Sequence, residues 1–322
     1  MVLLKELTKK KSATLNFRMS KRIIIIGAEG FIGSNLCRYL YEKGYEVWGV
    51  DIVSLQIPSF YNYIQLAEGS ADLETLFSQQ KFEYCINAAG KGDVGFSISH
   101  PLKDFEANTL HVARILDAMR ITNNSCKYIH ISSAAVYGNP LQLPVKEEDD
   151  LNPLSPYGYH KLMSEITCKE YFHLYNLPIA ILRPFSVYGN GLKKQLFWDI
   201  CKKLKQDNDI RLFGTGNETR DFIYIDDLLQ LIKVIIDKSP FECNIYNAAN
   251  GTETEIKQIA KLFVDHFPGK KKISFSGELK KGDPLNWKAD ISKVKQLGFM
   301  AESNLENNVI DYINWFCSLA NE

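Results

Sequence analysis

Tyr157 and Lys161 stand four residues apart, behind Ser155-Pro156, a hydroxyl N-cap followed by proline at the first helical position. On such a helix the phenol and the ammonium share a face. A neighbouring ammonium stabilises phenolate and draws a tyrosine below its ordinary value of about 10, which makes it a usable general acid/base near neutrality. By itself a Tyr-x-x-x-Lys spacing is usually a solvated pair on a helix surface. Its company gives it meaning: Ser132-Ser133-Ala134-Ala135-Val136-Tyr137-Gly138 follows an apolar run at 127–131. Two hydroxyls therefore sit at the carboxyl end of a predicted strand, where open α/β sheets bind ligands.

A second constellation lies near the start. Gly27-Ala28-Glu29-Gly30-Phe31-Ile32-Gly33 directly follows Ile23-Ile24-Ile25-Ile26 and opens a helical pattern. Glycines there serve a tight turn, close approach of backbone to a pyrophosphate, and close packing of helix on strand. The helix N-terminus adds N–H donors and positive dipole for the phosphates. Asp51 ends the next apolar run eighteen residues past Gly33, near the roughly 20-residue offset of a ribose-binding carboxylate. Read as a turn residue it says nothing of a cofactor. Read as a ribose ligand it repels a 2′-phosphate and favours NAD over NADP.

The elements that must position these groups follow from periodicity. Apolar runs at 22–26, 46–50, 62–66, 84–88, 127–131 and 179–183, with a later one at 244–247, predict strands. Between them Ile32, Leu36, Tyr39 and Leu40 mark one helical face, and Leu110, Ile115 and Met119 mark another over 105–119. Strands with little polar alternation, separated by amphipathic helices, predict a parallel sheet covered on both faces. The expected fold class is α/β, a doubly wound parallel sheet (Rossmann) with a smaller C-terminal substrate-binding lobe. Helical pieces at 195–205, 255–266 and 305–316 belong to that lobe, while 226–236 is apolar enough to pack back on the sheet. The expected organisation is an N-terminal extension at 1–19, a cofactor domain at 20–185 with 222–250 returning to it, and a substrate lobe from 186–221 and 251–322.

Composition narrows the classes. The 322 residues are 45% apolar and 24% charged, enough for a full core. Lys+Arg and Asp+Glu each number 38, so the basic excess of a nucleic-acid binder is missing. Seven scattered cysteines without a C-x-x-C pair point to thiols in a reducing, cytoplasmic compartment. No apolar window of about 18 residues predicts a membrane span. The leader carries Lys9-Lys10-Lys11 without the apolar stretch of a signal peptide. Six histidines show no metal-ligand spacing, and no metal is expected.

In combination these motifs resemble the extended short-chain dehydrogenase/reductase family, in its nucleotide-sugar epimerase/dehydratase/4-ketoreductase branch. The resemblance covers about residues 21 to 300. It runs through the G-x-x-G-x-x-G loop, Asp72-Leu73, Asn87-Ala88-Ala89-Gly90, the Ser132 block and Tyr157…Lys161. It continues in Arg183-Pro184-Phe185-Ser186-Val187-Tyr188-Gly189, in 212–216 and 219–227, and in Gly282-Asp283-Pro284 with 289–293. It implies Ser133, Tyr157 and Lys161 as catalytic residues. NAD contacts are implied for Gly27, Gly30, Phe31, Ile32, Gly33, Asp51, Ile52, Asp72, Leu73, Ala88, Ala89, Asn108, Ser132, Tyr157, Lys161 and Pro184. Substrate contacts are implied for Ser97, Ser133, Ser186, Leu196, Phe213 and Arg220. Arg220 would grip the diphosphate bidentately; without the resemblance it reads as a cap for the helix near 226. Tyr137 has a packing or substrate-side role. The chain departs from the family at Ser70, where Asp often follows Gly69, and at Ser186, where the family carries asparagine.

Ala134-Ala135 bears on the reaction. Related dehydratases and decarboxylases carry acids after the serine, whereas two alanines cannot exchange protons. The expected activity is therefore an NAD-dependent nucleotide-sugar 4-epimerase, which removes and returns hydride at C4 through a 4-keto sugar. The alternatives are an NAD(P)H-dependent 4-ketoreductase and a non-catalytic NAD-binding protein. A nucleotide-diphosphate sugar is the expected ligand and a homodimer the expected state, because the family pairs the helices matching 104–120 and 156–175.

Overall fold

Ile23, Ile24, Ile25 and Ile26 are all buried, as an unalternated apolar run requires of a strand covered on both faces. A computed structural model describes residues 21–55, 60–66, 72–279 and 282–319; the extension expected at 1–19 lies outside them. In chain order the first half contains β1 (Arg22–Ile26), α1 (Phe31–Glu42), β2 (Glu46–Asp51), β3 (Asn62–Gln65), α2 (Asp72–Gln79), β4 (Tyr84–Asn87), α3 (Val94–Ser99) and α4 (Pro101–Phe105). A π turn (Glu106–Leu110) leads into α5 (His111–Thr122), followed by β5 (Lys127–Ile131), a 3-10 turn (Ala134–Val136), α6 (Pro156–Tyr175) and β6 (Ile179–Pro184). The second half adds β7 (Ser186–Tyr188), α7 (Gln195–Gln206), β8 (Asp209–Leu212), β9 (Thr219–Tyr224), α8 (Ile225–Lys238) and β10 (Glu242–Ala248). It ends with β11 (Glu253–Glu255), α9 (Ile256–His266), β12 (Lys272–Phe275), α10 (Ser292–Gln296) and α11 (Leu305–Ser318).

The main sheet has the order β10-β6-β5-β4-β1-β2-β3, and every pairing is parallel. Ile23 and Ile25 join one core with α1 and α8, while Ile24 and Ile26 join the other with α2 and α5. The chain order reverses between β1 and β4, and that crevice is where such sheets bind ligands. All seven expected strands are present, and α8 packs on the sheet beside α1 as expected.

Beyond residue 185 a third core forms among Phe197, Phe263, Tyr312 and Phe316, beside a three-stranded sheet β11-β9-β7 and the pair β12-β8. These short strands were not legible as strands, because each is three to six residues long and mixes polar with apolar residues. The helix expected over 105–119 is likewise broken, by the π turn. Asn108 and Thr109 turn their side chains out of it to accept and donate hydrogen bonds at Lys91, Asp104 and His160.

Candidate active site

At the cofactor end, shape does the selecting. Gly27 takes φ +86°, and a Cβ there would meet Ala89 N at 2.5 Å. A Cβ on Gly33 would lie 1.9 Å from Gly27 O, so helix and strand touch through backbone alone. Gly30 N-caps α1 with no side-chain hydrogen bond, leaving the helix's first N–H groups for an anion. Asp51 closes β2. Its Oδ2 accepts from Glu29 N at 2.9 Å, and its Oδ1 accepts from Ile52 N at 2.7 Å and Val53 N at 3.3 Å. That loop fixes a carboxylate at the edge of the crevice. A glycine cradle, an open helix N-terminus and a fixed acid fit a dinucleotide.

The other expected cofactor residues divide. Phe31 and Ile32 are half-buried at the start of α1, Ala88 and Ala89 follow β4, and Ile52 is exposed beside Asp51. Asn108 is buried. Its Oδ1 accepts from Lys91 N at 3.2 Å and would stand 2.6 Å from a Cβ on Gly90. Pro184 ends β6 in register with Ala248. Leu73 is instead a core residue on the buried face of α2. Asp72 begins α2, and its side chain lies outside the described residues. Ser132 also departs from expectation, because its hydroxyl turns inward and donates to Glu165 Oε1 at 2.5 Å.

The chemical end sits at the carboxyl end of β5. Ser155 caps α6, its Oγ accepting from Gly158 N, and Pro156 follows it. Tyr157 and Lys161 then face the strand exit one helical turn apart. Ser133 caps the 3-10 turn, its Oγ accepting from Ala135 N at 3.1 Å, and it acts on Tyr157, whose phenol it lowers. Lys161 Nζ donates to Ile131 O at 2.9 Å and would stand 3.4 Å from a Cβ on Gly90. The three residues expected to be catalytic are thus brought together.

Their electrostatics correct one expectation. Burial raises the Tyr157 phenol, Ser133 opposes this, and Asp104 adds to it. The group that favours phenolate here is Ser133, not Lys161. Burial in turn lowers Lys161 to about 8, with Asp104, Glu165 and Cys168 opposing. So the lysine is itself poised near neutrality rather than acting as a fixed cation.

A buried ionic network supports this corner, and sequence reading missed it. Arg183 forks onto Glu165 with Nε–Oε1 at 3.0 Å and Nη2–Oε2 at 2.7 Å, both side chains almost wholly buried. Arg183 Nη1 also donates to Tyr137 OH, which donates to Asn247 Oδ1 at 2.7 Å. Of the packing and substrate-side roles expected for Tyr137, its full burial fits packing. An arginine inside an unalternated apolar strand was the available signal, since such a charge needs a buried partner. Asp104 and His160, 2.6 Å apart, gave no signal of their own.

On the substrate side, Ser186 opens β7 and Leu196 lies on α7, both half-buried, while Phe213 is 62% exposed after β8. Ser97 is wholly buried and donates to Val94 O at 2.7 Å. Arg220 donates to Thr219 O and Leu285 O and lies over the Trp287 ring, so it does not cap α8. Lys194, also unforeseen, reaches from the start of α7 to Gly92 O at 3.4 Å.

Comparison with known proteins adds the context. The pattern of the NAD dependent epimerase/dehydratase family matches residues 23–249. A Methanocaldococcus jannaschii protein, provisionally named a UDP-glucose 4-epimerase, is 31% identical over 307 residues, covering 91% of this chain and 97% of the relative. The UDP-glucuronate 4-epimerase of Thermodesulfobacterium geofontis is 28% identical, covering 91% and 95%. Among solved structures, UDP-glucuronic acid 4-epimerase from Bacillus cereus, in complex with UDP-glucuronic acid and NAD, is 27% identical. It superposes with a TM-score of 0.83 over 92% of this chain and 99% of its own.

Proposed function

The chain belongs to the NAD dependent epimerase/dehydratase family, and we propose that within it the protein is an NAD-dependent 4-epimerase of UDP-linked sugars. The observation that carries this reading is the convergence of Ser133, Tyr157 and Lys161 at the mouth of β5, where Ser133 lowers the phenol, with Ala134 and Ala135 next in line. The geometry offers one proton-exchanging group at the sugar, which suits loss and regain of a single hydroxyl proton. Dehydration needs further acids, and the two alanines supply none.

Gly27, Gly30, Gly33, Asp51 and Asn108 would hold NAD, which when bound supplies the hydride acceptor and donor for C4. Tyr157 takes the C4 hydroxyl proton and later returns it, and Ser133 holds the same oxygen and shares the phenol's charge. Lys161, charged below about pH 8, would orient the cofactor's ribose. Arg220 would hold the diphosphate, its planar head already aligned between Leu285 and Trp287.

The same reading divides the chain into an N-terminal extension at 1–19, a cofactor domain at 20–185 joined by 222–250, and a substrate lobe from 186–221 and 251–322. It assigns the protein to the cytoplasm; among the described residues no helix is long and apolar enough to cross a membrane. The reading includes a homodimer, supported by the outer face of α6, where Tyr159, Met163, Ile166 and Leu174 are exposed, and by exposed Leu102 on α4. Light scattering at micromolar concentration should give twice the chain mass, and a monomer would count against this.

The test of function is product analysis with UDP-glucose, UDP-glucuronate and UDP-N-acetylglucosamine, together with mass spectrometry of ligands released from the purified protein. C4 inversion without added cofactor, with NAD released on denaturation, is expected. Turnover only of 4-keto sugars with consumption of NADPH would replace the epimerase by a reductase.

A further inference from the structure

The loop that leaves β4 passes the chemical end with little side-chain cover. Gly90 takes φ +138° against Asn108 and Lys161, and Lys91 lays its ammonium 4.5 Å from the centre of the Phe96 ring. Gly92 has no side chain. A Cβ there would lie 3.4 Å from Lys194 Nζ and 4.0 Å from Tyr157 OH. Beyond its chain neighbours, no third atom of the described residues comes within 4 Å of that point. The phenol assigned to the C4 proton and a second lysine thus flank one open space floored by glycine. That lysine comes from the start of α7, across the crevice from Lys161.

The backbone presents Lys194, and its neighbours leave it unpaired. Gln195, next in the chain, takes φ +66° although it carries a Cβ. Such a conformation costs energy and persists where the surroundings enforce it. Tyr312 OH donates to Leu192 O at 2.6 Å, which ties the same segment to α11. Lys194 is exposed as a whole, while its ammonium, set against Gly92, is lowered by the water it has lost; Asp93 opposes this and Lys91 adds to it. Among the described residues its one hydrogen bond goes to Gly92 O at 3.4 Å, a long contact for a cation with three donors. No carboxylate is bonded to it, and Asp93 Oδ1 is occupied in accepting from Phe96 N as the cap of α3.

An ammonium with free donors beside a neutral phenol is completed by an anion. A UDP-sugar can offer two: the diphosphate on C1 and, in a uronic acid, the carboxylate on C5. With the C4 oxygen at Tyr157, C5 is bonded to the reacting carbon, whereas C1 lies across the ring. We propose that Lys194 recognises a carboxylate on C5, and that the sugar this site takes is therefore a UDP-hexuronic acid. The inference rests on the reading above that Tyr157 meets the C4 hydroxyl. The ammonium exchanges its long contact with Gly92 O for the carboxylate, and Gly92 leaves the room, since a larger side chain would fill the space between Nζ and the phenol. A neutral hexose would bring a hydroxymethyl group instead, which accepts a weaker hydrogen bond and leaves the charge uncompensated.

The experiment is calorimetry on the full-length, NAD-loaded Tyr157→Phe protein, which should hold a UDP-sugar without inverting it, so that binding is read apart from catalysis. UDP-glucuronate should bind at least about tenfold more tightly than UDP-glucose, the size of one charge-assisted hydrogen bond. Adding Lys194→Met, which keeps the stem and loses the charge, should bring that ratio to within about twofold of unity. Lys194→Arg should keep most of the preference, and Lys202→Met, further along α7, should leave it as it was. UDP alone separates the two anions, because its affinity should hardly respond to Lys194→Met. A loss for UDP as large as that for UDP-glucuronate would assign the lysine to the diphosphate and overturn the proposal. Equal affinities for the two sugars before Lys194 is changed, or a ratio indifferent to Lys194→Met, would overturn it as well. A protein that inverts no C4 yet shows the Lys194-dependent preference would uphold this assignment and remove the epimerase reading instead.

Discussion

The two ends of the site are built by different means. The cofactor end is cut from backbone: Gly27 and Gly33 leave no room for side chains, and the Asp51 carboxylate is tied to three N–H groups of its own surroundings. The chemical end is built from buried charge: the Arg183–Glu165 fork, the Asp104–His160 pair, and a lysine brought near neutrality by desolvation. Backbone shape is insensitive to pH and intolerant of added atoms. Buried charge is the reverse, since it survives isosteric change and answers to protons. The dinucleotide needs a fixed outline, whereas proton transfer needs a group poised to change state, and each end uses the means suited to its task.

Substitutions can break that contrast in order of expected size. Arg183→Met leaves Glu165 charged, buried and unpaired, and should cost about 3–5 kcal/mol in urea unfolding. A loss under about 1 kcal/mol would mean the network is not the support described. Gly33→Ala forces a methyl group to within 1.9 Å of Gly27 O, and overpacking of this kind costs about 1–3 kcal/mol. NAD binding by calorimetry should weaken with it while the pH dependence of turnover keeps its wild-type form. A displaced pH profile would show that the two ends are coupled. Asp51→Ala should have the smallest effect, reducing NAD affinity by about tenfold, roughly 1.4 kcal/mol, while NADP affinity stays near its starting value. Equal affinities of the wild type for the two cofactors would remove the role given to this carboxylate.

The same contrast explains what the amino-acid sequence discloses. The glycine loop was legible because its constraint is local: a strand, a turn that only glycine permits, and a helix lie within a dozen residues. The central strands of the main sheet were legible because burial on both faces writes itself as apolar runs such as Ile23-Ile24-Ile25-Ile26. Strands β7, β9 and β11 were not, since each is three to six residues of mixed polarity and exists through pairing across distant segments. The buried pairs were hidden for a related reason. Asp104 and His160 are separated by 56 residues, and only the π turn and the packing of α4 on α6 bring them together. The lysine–phenol coupling expected from the Tyr157/Lys161 spacing was misjudged because spacing gives a shared face but not the burial, which raises the phenol and lowers the lysine.

The central claim is that Tyr157, with Ser133 beside it, exchanges the proton of the sugar's C4 hydroxyl. Its most direct test is turnover of the best UDP-sugar by wild type and by Tyr157→Phe, measured as the rate of C4 inversion at saturating substrate. Loss of a general acid/base predicts a rate lower by about 10²–10⁴, with UDP-sugar binding retained because Arg220 is untouched. A Phe variant that inverts C4 at close to the wild-type rate would contradict the account.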